Sequence, residues 1–478
     1  MPEYLLGIDI GTTSTKLILI NPFGKIIGNI SYPTTMVSRF PGWAEENPDQ
    51  WWQNVISGTR QLMKDTAISY EEIKGVGVSG MVPALILLDE KGKLLRPSIQ
   101  QKDSRAFEEI EYQKSQTIEN AILNKTGSVI SQQSIGPKLL WLKKQEPEIF
   151  QLARRVMGSY DYIVYRLSGV FSIERNWALE SGLFDLLTQD WDDDLLALAG
   201  IDRSWLGTVH WPADVVGEVT CDAARESGLG QGTIVAAGSA DHVASAFSAG
   251  VRDDGDMLVK LGGAGDILYC VNKPDVDHRL YLDYHIIPGK YLVNGCMASS
   301  GSLIRWFRDQ FSPEMDYLDL DERAKGITAG SDGLVVLPYF LGEKTPVNDP
   351  LARGTIIGLT LSHSKEHIYK AILEGISFGF RHHLSILEER NHTAQKARLT
   401  NGGAHSILWR QITADVIGIP LEEVANHPGS SLGAAFIAGK GIGLFKSWDE
   451  IEKFITIGSI TRPDCNKAEI YNHLFNVY

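Results

Sequence analysis

Asp9, Gly11, Thr12, Thr13 and Lys16 fall in one short stretch, Asp9-Ile10-Gly11-Thr12-Thr13-Ser14-Thr15-Lys16, directly after an apolar run. Residues of these types at this spacing can grip a phosphate chain. Glycine lets the backbone approach closely, backbone NH groups and threonine hydroxyls donate to phosphate oxygens, and the aspartate can hold Mg²⁺ or its waters. A bare triphosphate repels an incoming nucleophile, so donors and cation are both needed. A second acid, Asp241, follows Ala237-Gly238-Ser239-Ala240 and opens a small-residue helical stretch. A helix N-terminus favours the ionised carboxylate there, which leaves it free to accept a proton. Two further glycine turns complete the set. Gly262-Gly263-Ala264-Gly265-Asp266 has the character of a phosphate turn, and Gly402-Gly403 precedes a predicted helix over 408–417. At the latter an adenosine can come close to the backbone.

These groups need rigid elements to hold them. The spacing predicts a β-hairpin whose tip carries the first phosphate turn, with Lys16 at the start of its second strand, Leu17 to Ile20. Met257 to Leu261, the turn at 262–266 and Ile267 to Cys270 repeat strand, turn, strand in the second half. A duplicated nucleotide-clamping fold follows, with ligand in a central cleft. Elsewhere short β-rich runs alternate with helical stretches, giving the α/β class. The polar segment Gly250 to Asp256 marks the boundary, so that 1–249 and 250–478 are the expected domains.

Bulk properties agree. A chain of 478 residues is too long for one ordinary core. With 43% hydrophobic and 22% charged residues and no long apolar run, it reads as soluble, with neither membrane span nor signal peptide. The net charge of −14 argues against nucleic acid as the main partner. Cys221, Cys270, Cys296 and Cys465 are scattered, which fits reduced thiols and a cytoplasmic location.

Two patterns are decoys. Gly75-Val76-Gly77-Val78-Ser79-Gly80 satisfies GxGxxG, yet its glycines fall inside a predicted strand with no helix opening after it. His363-Ser364-Lys365-Glu366-His367 matches HxxEH but straddles a loop and a helix start. No Walker loop is present in the sequence.

The chain resembles the FGGY carbohydrate kinases, and within them the xylulokinase-like branch, from about Tyr4 to Lys440. Gly354-x-Ile356-x-Gly358-Leu359, seven residues, then His367-Ile368-x-x-Ala371-Ile372-Leu373-Glu374 is similar to the complete C-terminal signature of that family. Lys138-Leu139-Leu140-Trp141-Leu142 resembles the core of the N-terminal signature, with Gln133 and Ile135 departing from its usual flanks. Pro41-Gly42-Trp43-Ala44-Glu45, and Arg96-Pro97 leading to Asp103-Ser104-Arg105, are also familial in character.

The resemblance implies two duplicated ribonuclease-H-like (actin-like ATPase) domains closing over ATP, Mg²⁺ and a small sugar or polyol. Asp9, Gly11, Thr12, Thr13 and Lys16 match the first phosphate segment, and Gly262 and Gly263 begin the second. Members usually carry hydroxyl residues where this chain has Gly263 and Ala264, so the clamp must lean on backbone NH groups. Gly402, Gly403 and Ser406 match the adenosine segment, with Gly429 and Gly433 as further candidates. Asp241 matches the catalytic base and, with Asp9, the metal site. For the sugar, Val82-Pro83 stand where xylulokinases carry Met-His, and His242 where they carry Asn. Asp103 is a candidate acceptor for a sugar hydroxyl. D-xylulose is the leading substrate, with ribulose, glycerol and gluconate types as alternatives and a non-catalytic actin-like ATPase as the reading from another class. A homodimer is one assembly compatible with the sequence.

Overall fold

The computed structural model describes residues 3–478. Its frame is two mixed sheets of the same design. In the first, β1 (Tyr4–Ile10), β2 (Ser14–Ile20) and β3 (Ile26–Pro33) form an antiparallel meander. Next to β1 and parallel to it lies β4 (Ile73–Gly80); β5 (Val215–Glu218) and β6 (Ile234–Ala236) complete the order β5-β6-β4-β1-β2-β3. The short strand Ser239–Ala240 also pairs with β4.

The second sheet contains β7 (Met257–Leu261), β8 (Gly265–Val271), β9 (Tyr281–Tyr284), β10 (Tyr291–Met297), β11 (Ala397–Thr400), β12 (Leu421–Val424) and β13 (Ile457–Thr461). Its order is β9-β10-β8-β7-β11-β12-β13. Each sheet thus places an antiparallel meander beside parallel strands and ends on an antiparallel edge, β5 or β13. The fold is therefore a duplicated ribonuclease-H-like α/β pair, as the repeated hairpins predict.

Leu5, Leu6, Ile8 and Ile10 of β1 are all buried, so the strand is covered on both faces and reads as a continuous apolar run. One face carries α1 (Pro48–Thr66), where Gly58 leaves room for Leu17. In the second half α3 (Lys365–Glu389) packs on α4 (Ile407–Ile417). Two other helices matter more for chemistry. The first, α2 (Asp241–Ser248), follows the strand Ser239–Ala240, and the second is α5 (Ser430–Gly441).

Helix α5 comes late in the chain yet lies on β1 and β4 of the first sheet. Its small residues and the glycines beneath it allow a very close approach. A Cβ built on Gly7 would stand 2.0 Å from the carbonyl oxygen of Ser431, and one on Gly77 1.9 Å from that of Ala434. The glycines of the GxGxxG pattern thus include the seat of a helix. The other decoy also resolves: Glu366 accepts a hydrogen bond from Ser364, and His367 turns to Asp332 at 3.3 Å. Among the described residues no helix is long and apolar enough to cross a membrane.

Candidate active site

The first hairpin runs closer to its turn than expected. Pairing of Ser14 with Pro33 on β3 starts β2 at Ser14, so Lys16 lies inside the strand rather than at its start, and it faces Asp9 in register. Asp9 is buried with its neighbour Ser79, whose hydroxyl donates to Oδ1 at 3.2 Å. Burial, and then the nearby Asp241 carboxylate, push the Asp9 pKa up to about 6. Asp241 is the first residue of α2, and its Oδ1 accepts from His242 N at 2.6 Å.

Asp9, Gly11, Thr12, Thr13, Lys16, Val82, Asp241 and His242 all line one cavity of about 400 Å³. A second cavity of about 910 Å³ is lined by Gly262, Gly263, Gly402, Gly403 and Ser406. Lys16 belongs to both, so the two adjoin at the first phosphate turn. In the second cavity the glycines have separate reasons. A Cβ on Gly262 would meet the Asn401 amide at 2.8 Å and one on Gly403 the Trp409 ring at 2.2 Å, while Gly402 and Gly429 face open space. Gly433 is not among the residues of either cavity: its Cβ would stand 2.4 Å from the Ala244 carbonyl oxygen of α2. The Ser406 hydroxyl is already engaged, capping α4 at Trp409 N and donating to Asp321 at 2.6 Å.

Comparison with known proteins gives the same architecture. Residues 4–248 match the N-terminal domain, and residues 268–442 the C-terminal domain, of the FGGY family of carbohydrate kinases. The chain belongs to that family. The xylulose kinase of Rhodospirillum rubrum has a solved structure 42% identical to this chain, with a TM-score of 0.93 over 99% of this chain and 97% of the other. The xylulose kinase of Bacillus subtilis (strain 168) is 29% identical over 100% of this chain and 96% of its own length. The gluconokinase of the same organism is 28% identical over 100% of this chain and 95% of its own. The two Bacillus subtilis relatives differ by one point of identity, whereas the Rhodospirillum rubrum xylulose kinase stands at 42%.

In this FGGY kinase two of the expected sugar contacts fall away. Pro83 is buried and does not line the cavity, so of the Val82-Pro83 pair only the apolar Val82 does. Asp103 does not reach the cavity either. It is 1% exposed, with Oδ2 accepting from Ala44 N at 2.6 Å and from Arg105 at 2.7 Å, and Oδ1 from Arg105 at 2.8 Å. Arg105 in turn stacks on Trp43 at 3.6 Å and pairs with Glu45 at 2.8 Å. The two family-like segments around 41–45 and 103–105 thus form a buried clasp, and the acid is spent on it.

Around His242, the remaining expected residue of this wall, stand groups that no motif announces. His242 Nε2 lies 3.0 Å from Asp283 of β9 and 3.8 Å from Glu180, and its Nδ1 lies 3.5 Å from Asp241. Burial opposes charge on His242, but Asp283, Asp241 and Glu180 outweigh it and hold the ring as an imidazolium. One Glu180 oxygen is buried without a hydrogen-bond partner among the described residues. Asn294 and Lys344 line the same wall, and Lys344 Nζ, 3.7 Å from the Cys296 sulfur, meets no carboxylate within ion-pair distance among the described residues. The three groups Glu180, His242 and Asp283 are also close enough to hold a metal ion. A protonated His242 already places one positive charge among them.

Proposed function

We propose that this chain uses ATP and Mg²⁺ to phosphorylate a hydroxyl of a neutral ketose or polyol, with D-xylulose the first candidate. The lobe built on the first sheet, with α5 seated on it, and the lobe built on the second sheet would close over both ligands. One observation carries the reading. Asp241 and the first phosphate turn share a cavity that runs, past Lys16, into the glycine-lined cavity of the second half.

The chemistry follows from the groups in reach. ATP phosphates would lie along the two hairpin turns, with adenosine against Gly402 and Gly403. Asp9 and Asp241 suit a divalent cation, because burial and the neighbouring Asp241 carboxylate raise the cost of ionising Asp9 and a cation offsets it. Bound there, Mg²⁺ would neutralise charge on the transferring phosphate. Asp241 would take the proton of the attacking hydroxyl, and Glu180, Asp283 and His242 would receive the remaining hydroxyls. Asp283 can accept from neutral hydroxyls, and burial, with Asp283 nearby, raises the Glu180 pKa well above the usual carboxylate range, so this end of the cavity suits a polyhydroxyl ligand.

A second reading rests on Lys344, whose charge lacks a carboxylate partner and would suit a sugar acid. An ADP-release assay against D-xylulose, D-ribulose, xylitol, glycerol and D-gluconate separates the two. The expected result is turnover with a ketose or polyol and none with gluconate. Gluconate as best acceptor, with its use abolished by Lys344→Met, would establish the second reading. No ADP release with any acceptor would sink the kinase reading.

The wall around His242 gives another expected result. His242→Asn shortens the side chain and removes the positive charge between Asp283 and Glu180, so the KM for the sugar should rise about 10- to 100-fold, the worth of a hydrogen bond to a charged group. Initial rates over a range of sugar concentrations test this. An unchanged KM would take His242 out of the sugar site.

A further inference from the structure

The second phosphate turn is chemically bare. Gly262, Gly263 and Ala264 carry no side-chain donor, yet a phosphoryl group in transfer spreads negative charge over three oxygens that need partners. The duplicated hairpins supply a clue. In the first, Asp9 sits two residues before Gly11 and faces Lys16 across the strands. In the second, Lys260 sits two residues before Gly262 and faces Asp266. Each hairpin therefore carries one lysine and one aspartate across its strands, with the order of the charges reversed. Lys260 holds the place in the second hairpin that Asp9 holds in the first.

Lys260 is also in the right part of the site. It lines the cavity that contains Asp9 and Asp241, while Gly262 and Gly263 of its own hairpin line the adjoining one. The hairpin thus stands between acceptor and nucleotide. Asp266 anchors the lysine at 3.1 Å, and both side chains are mostly buried, at 16% and 19% exposed. A cation held there does not have to reorganise when charge develops.

We propose that Lys260 is a catalytic residue that contacts the terminal phosphate of ATP, taking over by charge the role that hydroxyl donors would otherwise fill in the Gly262–Gly265 turn. The inference rests on the kinase reading but not on which sugar is used. Lys260 stays protonated throughout; it neutralises the transferring group and moves no proton.

Removing Lys260 alone would leave Asp266 buried and unpaired, so the main test is the double variant Lys260→Met/Asp266→Asn, which deletes both charges. Its kcat should fall about 10²- to 10³-fold, the usual loss on removing one preorganised donor. Isothermal calorimetry should show weaker binding of ATP with little change for ADP or for the sugar, since only ATP has the terminal phosphate. A purely structural role would weaken ATP and ADP alike. Gly263 has no atom within 4 Å of a built Cβ, so Gly263→Thr fits the turn. Added to the double variant, it should recover part of the ATP affinity. A double variant with normal kcat, or with equal losses for ATP and ADP, would overturn the proposal. Should the unchanged protein release no ADP with any acceptor, the kinase reading falls, while the ATP-against-ADP contrast still tests the contact of Lys260.

Discussion

Asp241→Asn is expected to lower kcat by at least about 10²-fold while the KM for the sugar changes far less. The amide keeps the size of the side chain and can still accept a hydrogen bond from a hydroxyl, but it cannot take the proton as the phosphoryl group arrives. Asp241 has two further duties to separate from this one. It lies beside Asp9, where a divalent cation would sit, and its Oδ1 is 3.5 Å from His242 Nδ1. Weakened Mg²⁺ binding would mimic lost base catalysis, so the rate must be measured at saturating Mg²⁺. Disturbance of His242 would appear in the sugar KM. Near-normal kcat at saturating Mg²⁺ would remove Asp241 as the base. Attention would then pass to Glu180 and Asp283, the acids of the same wall, because Asp103 is shut away in its clasp with Arg105 and Ala44.

What was legible in the sequence, and what was not, divides along a physical line. Groups held by their own local element could be read directly. Asp9 and Thr12 stand at a hairpin turn, Asp241 starts a helix, and Gly262 and Gly402 mark chain turns, so strand and helix signals located them. Groups that reach the cavity only through tertiary packing could not be read. Asp283 lies in the edge strand β9 and Asn294 in its neighbour β10, with nothing local to separate them from ordinary strand residues, and Glu180 is the last residue of a short helix. Asp103 failed for the complementary reason. A carboxylate in a family-like segment looks available until its partners are known, and Ala44 lies far from it in the chain. Lys260 was visible as a residue in a predicted strand, but its meaning depends on the cross-strand pair with Asp266.

Gly77→Ala should destabilise the protein by about 3 kcal/mol or more, at or above the upper end of ordinary overpacking. The new methyl group would lie 1.9 Å from the Ala434 carbonyl oxygen and 2.8 Å from its carbon, both of them backbone atoms of α5. No side-chain rotation can relieve such a clash; the helix has to move. Moving α5 also disturbs the site, because the same helix lies on β1, which carries Asp9, and Gly433 brings it within backbone contact of Ala244 in α2, which begins at Asp241. The separation of the two acids is therefore set by a helix seated on glycines. Gly263→Ala is the matched control, since its Cβ would have no neighbour within 4 Å and its melting temperature should be that of the unchanged protein. Thermal and denaturant unfolding of the two variants decide the matter. If Gly77→Ala unfolds together with Gly263→Ala, the tight seat of α5 is wrong, and with it the account of what fixes Asp9 relative to Asp241.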